Sequence, residues 1–218
     1  MLIRGWDRGA EQEWRRWLAA GRDFGTLAAN GPDGPVLTPA PFLLDAEAGE
    51  VLLHLAAANP LLAAVRADPH VTLAVTDDHA FVPGRWRGAP YTPTSYYASV
   101  QFSCTAELVE DPAEKAALLN RQLAHFQPEE PGQPADRVEP RNAYWEQLTA
   151  VRGLRLTVRR VRAKFKYDDK KPVELQGEVA ERLAERHAAT GRPQDAAARA
   201  QLLRRMALRT GPADRSSD

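Results

Sequence analysis

The chain has 218 residues, with 44% apolar side chains and equal numbers of acidic and basic ones, 29 of each. This length can bury one sizeable core, and a formally neutral chain has no overall field that would draw it to nucleic acid or to a membrane surface. Its single cysteine, Cys104, excludes an internal disulfide framework and a multi-cysteine zinc site, and we expect a buried thiol.

The first third of the chain predicts a helix followed by a meander of three antiparallel strands. Residues 9–20 have the spacing of an amphipathic helix. Three β-competent runs follow, separated by turns rich in Gly, Asn and Asp: "FGTLAA" (24–29), "PVLTPAPFLL" (35–44) and "VLLHL" (51–55).

The middle of the chain predicts a short helix and two further strands. Asn59-Pro60 is typical of a helix start, and "HVTLAVTD" (70–77) predicts a strand. The Pro- and Gly-containing stretch 78–93 predicts an ordered excursion. In the long strand 94–111, even-numbered apolar residues alternate with polar ones, which predicts one core-facing side.

The last part predicts helices on either side of a sixth strand. Asp111-Pro112 predicts a helix to about residue 126, and a Pro- and Glu-rich loop at 127–140 leads to a short helix carrying Tyr144 and Leu148. The strand at 153–167 changes its apolar phase at Arg159-Arg160, which predicts a β-bulge. Helices are expected around 175–188 and 193–209, and a disordered tail at 211–218.

Several classes of protein are excluded by missing motifs. There is no apolar N-terminal signal segment and no apolar run long enough to span a membrane, so we expect a cytoplasmic protein. A nucleophile elbow, a phosphate-binding loop, a dinucleotide-binding glycine pattern and a His-Glu-x-x-His motif are all absent, and the five histidines are scattered. We assign no catalytic residue and no metal site.

Two features of the first strands could mark a ligand site. Pro39 and Pro41 are two residues apart in one strand, so one side of that strand cannot donate hydrogen bonds there. This indicates either a ligand-facing edge or an ordinary sheet edge protected from aggregation. In "HLAAANP" (54–60), a strand end meets a helix start, which favours an anion, although a capped turn without a ligand has the same pattern.

Two further features concern charge. Arg85-Trp86-Arg87 lies close in sequence to several tyrosines, a cluster suited to a planar anionic ligand or else a surface loop packed by its own aromatic rings. Residues 152–171 contain nine Arg or Lys against two Asp, a net charge of +7. Such a cationic stretch favours phosphate, nucleic acid or an acidic partner.

The order of these segments resembles a known family. "FGTLAA", "TPAPFLLD", "HLAAANP", "HAFVPGRW", "TPTSYYASVQF", "LVEDP" and "VRGLRLTVRRVRAKFK" appear in the order found in PaiB-type FMN-binding negative transcriptional regulators, which belong to the FMN-binding split-barrel superfamily with pyridoxamine-phosphate oxidase. The resemblance implies a mainly β fold with flanking helices: a six-stranded antiparallel split β-barrel over residues 1–171, with a C-terminal helical extension at 172–210.

The resemblance also implies a homodimer with FMN at its interface. The residues that it assigns to the cofactor fall into three groups. The flavin ring would lie along the strand of Thr38, Pro39, Ala40 and Phe42; the phosphate would lie near His54 and Asn59; and the partner subunit would add Tyr97, Gln101, Lys164 and Lys166. The aromatic and cationic cluster adds Arg85 and Trp86 as candidate cofactor residues.

One departure from the family concerns the phosphate. The family has an arginine where this chain has Ala57, so either another cation, Arg85, Arg87, Lys164 or Lys166, replaces it or the site has drifted away from FMN. Loss of one charge-assisted bond costs about 1.5–3 kcal/mol. The leading hypothesis is therefore an FMN-binding protein with a regulatory or redox role. The alternatives are a flavin-dependent oxidoreductase and a nucleic-acid-binding regulator using the basic strand 152–171 or the C-terminal helices.

Overall fold

The computed structural model describes residues 1–127 and 136–210. Most of the loop predicted at 127–140 and the whole tail at 211–218, predicted to be disordered, lie outside these residues. The helices are α1 (Glu11–Ala19), α2 (Leu61–Ala67), α3 (Pro112–Phe126), α4 (Ala143–Glu146), α5 (Val173–Thr190) and α6 (Pro193–Thr210), with 3-10 turns at Gly5–Asp7, Gly84–Trp86 and Gln147–Ala150. No helix in this part of the chain combines the length and the apolar character needed to cross a membrane.

The strands form a mostly antiparallel sheet with the character of a split barrel. They are β1 (Phe24–Gly31), β2 (Gly34–Pro41), β3 (Leu43–Asp45), β4 (Glu50–Ala56), β5 (His70–Val82), β6 (Thr94–Val109) and β7 (Val151–Lys166). Their hydrogen-bonded order is β2-β1-β5-β6-β7-β4-β3. The predicted fold class is confirmed.

The predicted number of strands, six, was wrong by one because Phe42 divides the run 35–44. The Phe42 amide donates to the carbonyl of Asp23 at 2.8 Å, and its ring is buried. Residues before Phe42 pair with β1, whereas Leu43 pairs with Leu52 of β4. The first and last strands in the hydrogen-bonded order, β2 and β3, are therefore consecutive in sequence.

The alternation predicted for the two long strands is present. In β6 the even-numbered side chains from Tyr96 to Ala106 are buried. In β7 the buried apolar residues are Leu154 and Leu156 before the phase change, and Ala163 and Phe165 after it. Arg159 and Arg160 are both exposed between them, so the burial changes phase where the sequence predicted it.

The chain divides into two compact units. Unit 2 consists of residues 15–75 and 101–162 and holds β1 to β4. Its core includes a cluster of Leu52, Val109 and Leu118, through which α3 packs on the sheet. Asp111 caps α3 by accepting hydrogen bonds from two amides of its first turn, as its position before Pro112 predicted.

Unit 1 consists of residues 1–14, 76–100 and the chain from residue 163 onward. It contains α5 and α6, which pack against each other and are joined through Gly191 in a left-handed conformation. Arg186 of α5 forms an ion pair with the buried carboxylate of Asp195 of α6 at 2.6 Å. The separation of a barrel at 1–171 from a helical extension at 172–210 stays a prediction.

Candidate functional site

The outer edge of β2 is the first part of the candidate site. β2 is terminal in the sheet, so only one of its edges pairs with a strand. Successive residues of a strand point their N–H and C=O groups to alternate sides. Because the Phe42 amide points to the β1 side, the odd-numbered residues face the open edge. That edge has carbonyls but no N–H at Pro39 and Pro41, and it has one donor at Leu37.

Thr38 and Asn59 are brought together at a corner beside this edge. The Thr38 hydroxyl donates to Oδ1 of Asn59 at 3.2 Å, and the same oxygen accepts the Leu61 amide at 2.9 Å. The next two amides, of Leu62 and Ala63, bond to the carbonyls of Asn59 and Pro60. The first amides of α2 thus already have acceptors, and a phosphate near this corner would need cationic side chains.

Ala40 and Phe42 belong to the interior of the same strand run. Both side chains are buried, with 2% and 1% of their surfaces exposed. They can support a ligand on this edge only by holding the strand in place, because the backbone polar groups of even-numbered residues point to β1.

His54 faces a different environment. Its Nδ1 lies 2.7 Å from Oε1 of Gln122, whose amide nitrogen donates to the carbonyl of Leu52. The imidazole lines a mostly apolar cavity of about 230 Å³, together with Phe126 and Tyr144. Thr38 and Asn59 are not among the residues that line this cavity, so His54 is not part of their corner.

Unit 1 contains a strongly basic cavity, which we call the cationic pocket. Its volume is about 450 Å³. Its ionic side chains are six cations and two carboxylates: Arg4, Arg87, Lys164, Lys166, Lys170, Lys171, Asp7 and Asp168. The remaining wall includes Trp6, Pro90 and Pro93.

Lys164 and Lys166, predicted to contact the cofactor, both point into this pocket beside Tyr97. Each ammonium nitrogen lies 5.7 Å from the centre of the Tyr97 ring. Lys164 also donates to the carbonyl of Leu2, and Lys166 donates to the Thr94 hydroxyl at 2.7 Å. Burial, and then the charge of Lys164, lower the pKa of Lys166. The structure thus brings three of the predicted residues into one place.

Arg87 is held by a buried carboxylate and is not a free cation. Its guanidinium makes two bonds to Asp168, at 2.5 and 2.7 Å. The Tyr96 hydroxyl donates to the same carboxylate at 3.1 Å. The hydrogen bond with Asp168 raises the pKa of Arg87, and burial raises that of Tyr96. This network fixes the segment 87–94, which forms one wall of the cationic pocket.

The remaining predicted residues have other surroundings. The side chain of Arg85 is exposed. The guanidinium of Arg186 lies 4.7 Å from the centre of the Trp86 ring, so Trp86 contacts α5. Gln101 is half-buried on β6, within unit 2. None of these three lines the cationic pocket.

Sequence reasoning missed the part of the pocket that comes from the N-terminus and from the exit of β7. Trp6 lies close to two cations, Arg4 at 5.5 Å and Lys170 at 5.4 Å from its ring centre. Asp7 pairs with Lys164 at 3.6 Å. The sequence contains an indole next to a cation in "MLIRGWD" and a charged run in "DDKK". No pattern within either segment indicated that the two segments lie in contact.

Part of the positive charge predicted on 152–171 is paired with carboxylates within unit 2. Arg155 lies within ion-pair distance of Glu50 and Glu107, and Arg152 lies 3.6 Å from Glu110. In the described ranges, no group of three or more His, Cys, Asp or Glu side chains is placed to hold a metal ion. The cationic pocket is therefore a local concentration of charge.

Comparison with known proteins places the chain in a family. Residues 4–160 match the model of a family described as "Putative FMN-binding domain". The chain belongs to this family. No curated protein matches the sequence.

Several solved structures share the fold of this chain. The chain is similar to a conserved hypothetical protein from Mycobacterium tuberculosis, at 25% identity and a TM-score of 0.54, over 79% of this chain and 94% of that one. It is similar to the FAD and heme binding protein of Mycobacterium smegmatis, at 18% identity, a TM-score of 0.54 and 78% of both chains. The flavocytochrome Anf3 of Azotobacter vinelandii matches at 19% identity and a TM-score of 0.54, over 74% of this chain and 70% of that one.

Proposed function

We propose that the protein is a homodimer that binds FMN along the outer edge of β2. The observation that carries the proposal is the hydrogen-bonding character of that edge. The edge of an isoalloxazine ring presents one N–H between two carbonyl groups. The carbonyls of Pro39 and Pro41 can accept from the N–H, and the Leu37 amide can donate to a ring carbonyl. Membership in the family supports the same ligand.

The phosphate of FMN would need cations, because the amides at the Thr38 and Asn59 corner are already bonded. We propose that Lys164 and Lys166 provide them, from the other subunit of the dimer. Among residues 1–127 and 136–210, Lys166 has no carboxylate at ion-pair distance, and Asp168 and Asp7 attract it only from farther away. Replacing the family's arginine at Ala57 by lysines on a different strand would keep a charge-assisted contact to the phosphate.

The homodimer is supported by an exposed apolar face on the β1-β2 hairpin. Phe24 is opposite Pro41 and Ala28 is opposite Leu37, so these side chains share one face. Phe24 and Leu37 are 61% and 62% exposed, and Pro39 and Pro41 are also exposed. Contiguous exposed apolar surface of this kind is typical of an interface. Its position beside the β2 edge would place the flavin at the contact between two copies.

When bound, FMN would supply one- and two-electron redox chemistry. The role of this chain would be to orient the ring through the β2 edge and to hold the phosphate through lysines. Two biological roles are compatible with this: a PaiB-type regulator and a flavin-dependent oxidoreductase acting in the cytoplasm. Flavin-dependent oxidation of NADH or NADPH at steady rate would establish the enzyme, whereas a flavin complex without turnover would favour the regulator.

A nucleic-acid-binding role is not favoured by a specific observation. The basic strand β7 has carboxylate partners at Arg152 and Arg155, and α5 and α6 carry ion pairs such as Arg199 with Glu181. A gel-shift assay at increasing salt tests it directly, because phosphate contacts make affinity fall steeply with salt.

The dimer and the flavin site can be tested together with a matched pair of variants. Leu37→Asp places a charge on the proposed interface, and Leu208→Asp places the same charge at a side chain of equal exposure on α6, 60% against 62%. We expect Leu37→Asp to be monomeric by light scattering and to bind FMN at least tenfold more weakly, and Leu208→Asp to behave as the wild type. A wild-type protein that neither shows a flavin absorbance near 450 nm nor binds added FMN saturably would refute the proposal.

A further inference from the structure

The cationic pocket holds more positive charge than a single phosphate requires. With six cations and two carboxylates, its formal charge is +4. A phosphomonoester carries a charge of about −1.5 to −2 at neutral pH. An FMN phosphate held by Lys164 and Lys166 would therefore leave the pocket with a charge of about +2, so a further anionic group is needed to neutralise it.

The two carboxylates compensate the remaining cations only in part, because each already has an ion-pair partner and attracts Lys166 only from beyond ion-pair distance. Asp7 pairs with Lys164, and Asp168 pairs with Arg87. Within the described ranges, the other four cations of the pocket have no ion-pair partner: Arg4, Lys166, Lys170 and Lys171. Their contacts are with neutral groups, namely the Trp6 ring, the Thr94 hydroxyl and the carbonyl of Ala89.

Like charges at this spacing repel one another when no anion is present. The lowered pKa of Lys166 has burial as its main cause and the nearby charge of Lys164 as the next. An anion in the pocket would remove this repulsion and would gain several charge-assisted hydrogen bonds at once.

The shape and lining of the pocket indicate more than an inorganic anion. A volume of about 450 Å³ is within the range of small-molecule sites. Trp6, which is 42% exposed, together with Pro90 and Pro93 adds an apolar wall beside the cations. Cations next to an aromatic and apolar wall suit a ligand that joins a polyphosphate to a flat organic group.

We propose that the cationic pocket binds the diphosphate group of a nucleotide, with Arg4, Lys170 and Lys171 contacting the phosphates and Trp6 contacting the nucleoside. This inference goes beyond FMN binding at β2 and does not require it. FAD and the nicotinamide dinucleotides carry the same adenosine diphosphate group. This shared adenosine diphosphate group is what the pocket recognises.

Calorimetric titration of the full-length protein with ADP, AMP and inorganic pyrophosphate tests the proposal. We expect ADP and pyrophosphate to bind at least tenfold more tightly than AMP. The double variant Lys170→Gln/Lys171→Gln should lose about a hundredfold in affinity for ADP, since each lost charge-assisted contact costs about tenfold or more. Thermal unfolding of each variant checks that it is folded.

The control removes the same charge elsewhere on the protein. Arg159→Gln/Arg160→Gln alters two exposed side chains of β7 that do not line the pocket, and we expect its affinity for ADP to stay within about threefold of the wild type. Equal losses in the two double variants, or ADP binding no more tightly than AMP, would overturn the proposal. Trp6→Leu should weaken ADP but not pyrophosphate; unchanged ADP affinity would overturn the nucleoside contact.

A second titration identifies the source of the diphosphate. If ADP binds equally well to protein saturated with FMN and is displaced by NADH, the pocket serves a nicotinamide dinucleotide. If FMN displaces ADP and FAD binds more tightly than either, the diphosphate belongs to the flavin itself. Both outcomes support the pocket. FMN is titrated separately, so the two proposals can fail independently. Binding of ADP without binding of FMN would refute only the flavin proposal. Binding of FMN without binding of ADP would refute only the proposal for the cationic pocket.

Discussion

Arg205 of α6 provides a sharp test of how unit 1 is held together. Its guanidinium donates to both oxygens of Glu13, at 2.9 and 2.7 Å, to the Asp169 carboxylate, and to the carbonyl of Trp6 at 2.9 Å. The side chains of Arg205, Glu13 and Asp169 are all less than a tenth exposed. One side chain thus joins α6 to the N-terminal turn and to the exit of β7, two segments that line the cationic pocket.

Arg205→Met keeps much of the apolar volume and removes the charge. Burial disfavours the charged guanidinium, but the bonds with Asp169 and Glu13 outweigh it and raise the pKa of Arg205. Without the guanidinium, two buried carboxylates lose their partner. Breaking a buried ion pair from one side typically costs about 3–5 kcal/mol, so we expect a loss of this size in the free energy of unfolding.

Urea denaturation followed by circular dichroism measures the loss, with Arg204→Met as the matched control. Arg204 is the neighbouring residue, is exposed, and has a 3.5 Å hydrogen bond to Gln201, so its replacement should cost at most about 0.5 kcal/mol. Adding Glu13→Gln to Arg205→Met should recover part of the loss, because it removes one unpaired charge. If the free energies of unfolding of Arg205→Met and Arg204→Met differed by less than about 1 kcal/mol, the reasoning about a buried charge network would be wrong.

Two further predictions concern single residues in the core and on a helix. Gly9→Ala should destabilise the protein by about 1–3 kcal/mol, because the added Cβ would lie 2.4 Å from a ring carbon of buried Phe165. Gly177→Ala, which has open space around it inside α5, should instead stabilise the protein by about 0.5–1 kcal/mol. Opposite shifts of the melting temperature would verify both predictions. Burial raises the pKa of Cys104 from 9.0 to about 12, so its thiol should react with a disulfide reagent at pH 8 only after unfolding. Since the folded pKa exceeds the unfolded one, the stability advantage of wild type over Cys104→Ala should be full below pH 9 and fall between pH 9 and 12; a difference independent of pH would contradict this.

The elements of this protein were predictable where their pattern is local. The alternation in β6 predicted which side chains are buried, Asp111 before Pro112 predicted the start of α3, and Arg159-Arg160 predicted the change of phase in β7. Each of these depends on a strand period of two or on a cap within one turn, so neighbouring residues are sufficient to indicate it. The division at Phe42 was not predicted, because it depends on pairing with β4 and on a hydrogen bond to Asp23.

The candidate site was predictable only in part. Tyr97, Lys164 and Lys166 lie together, but the pocket that the two lysines line is completed by Lys170 and by Arg4 and Trp6, which are remote in sequence. His54 adjoins Asn59 in one short motif, yet it bonds to Gln122 in a separate cavity. A motif shows which residues are near one another along the chain, whereas the face on which each side chain lies depends on what packs against it.

The spacing of apolar residues and turns determined the individual strands and helices, because each of these elements is specified locally, and the barrel was implied by the resemblance to the FMN-binding split-barrel superfamily. Only the tertiary structure decided which charges remain available. The nine basic residues of 152–171 look alike in sequence, but Arg152, Arg155 and Lys164 each meet a carboxylate brought by another segment, whereas Lys170 and Lys171 do not among the described residues. Charge acts through space at distances of a few ångströms, and those distances are set by long-range strand and helix packing.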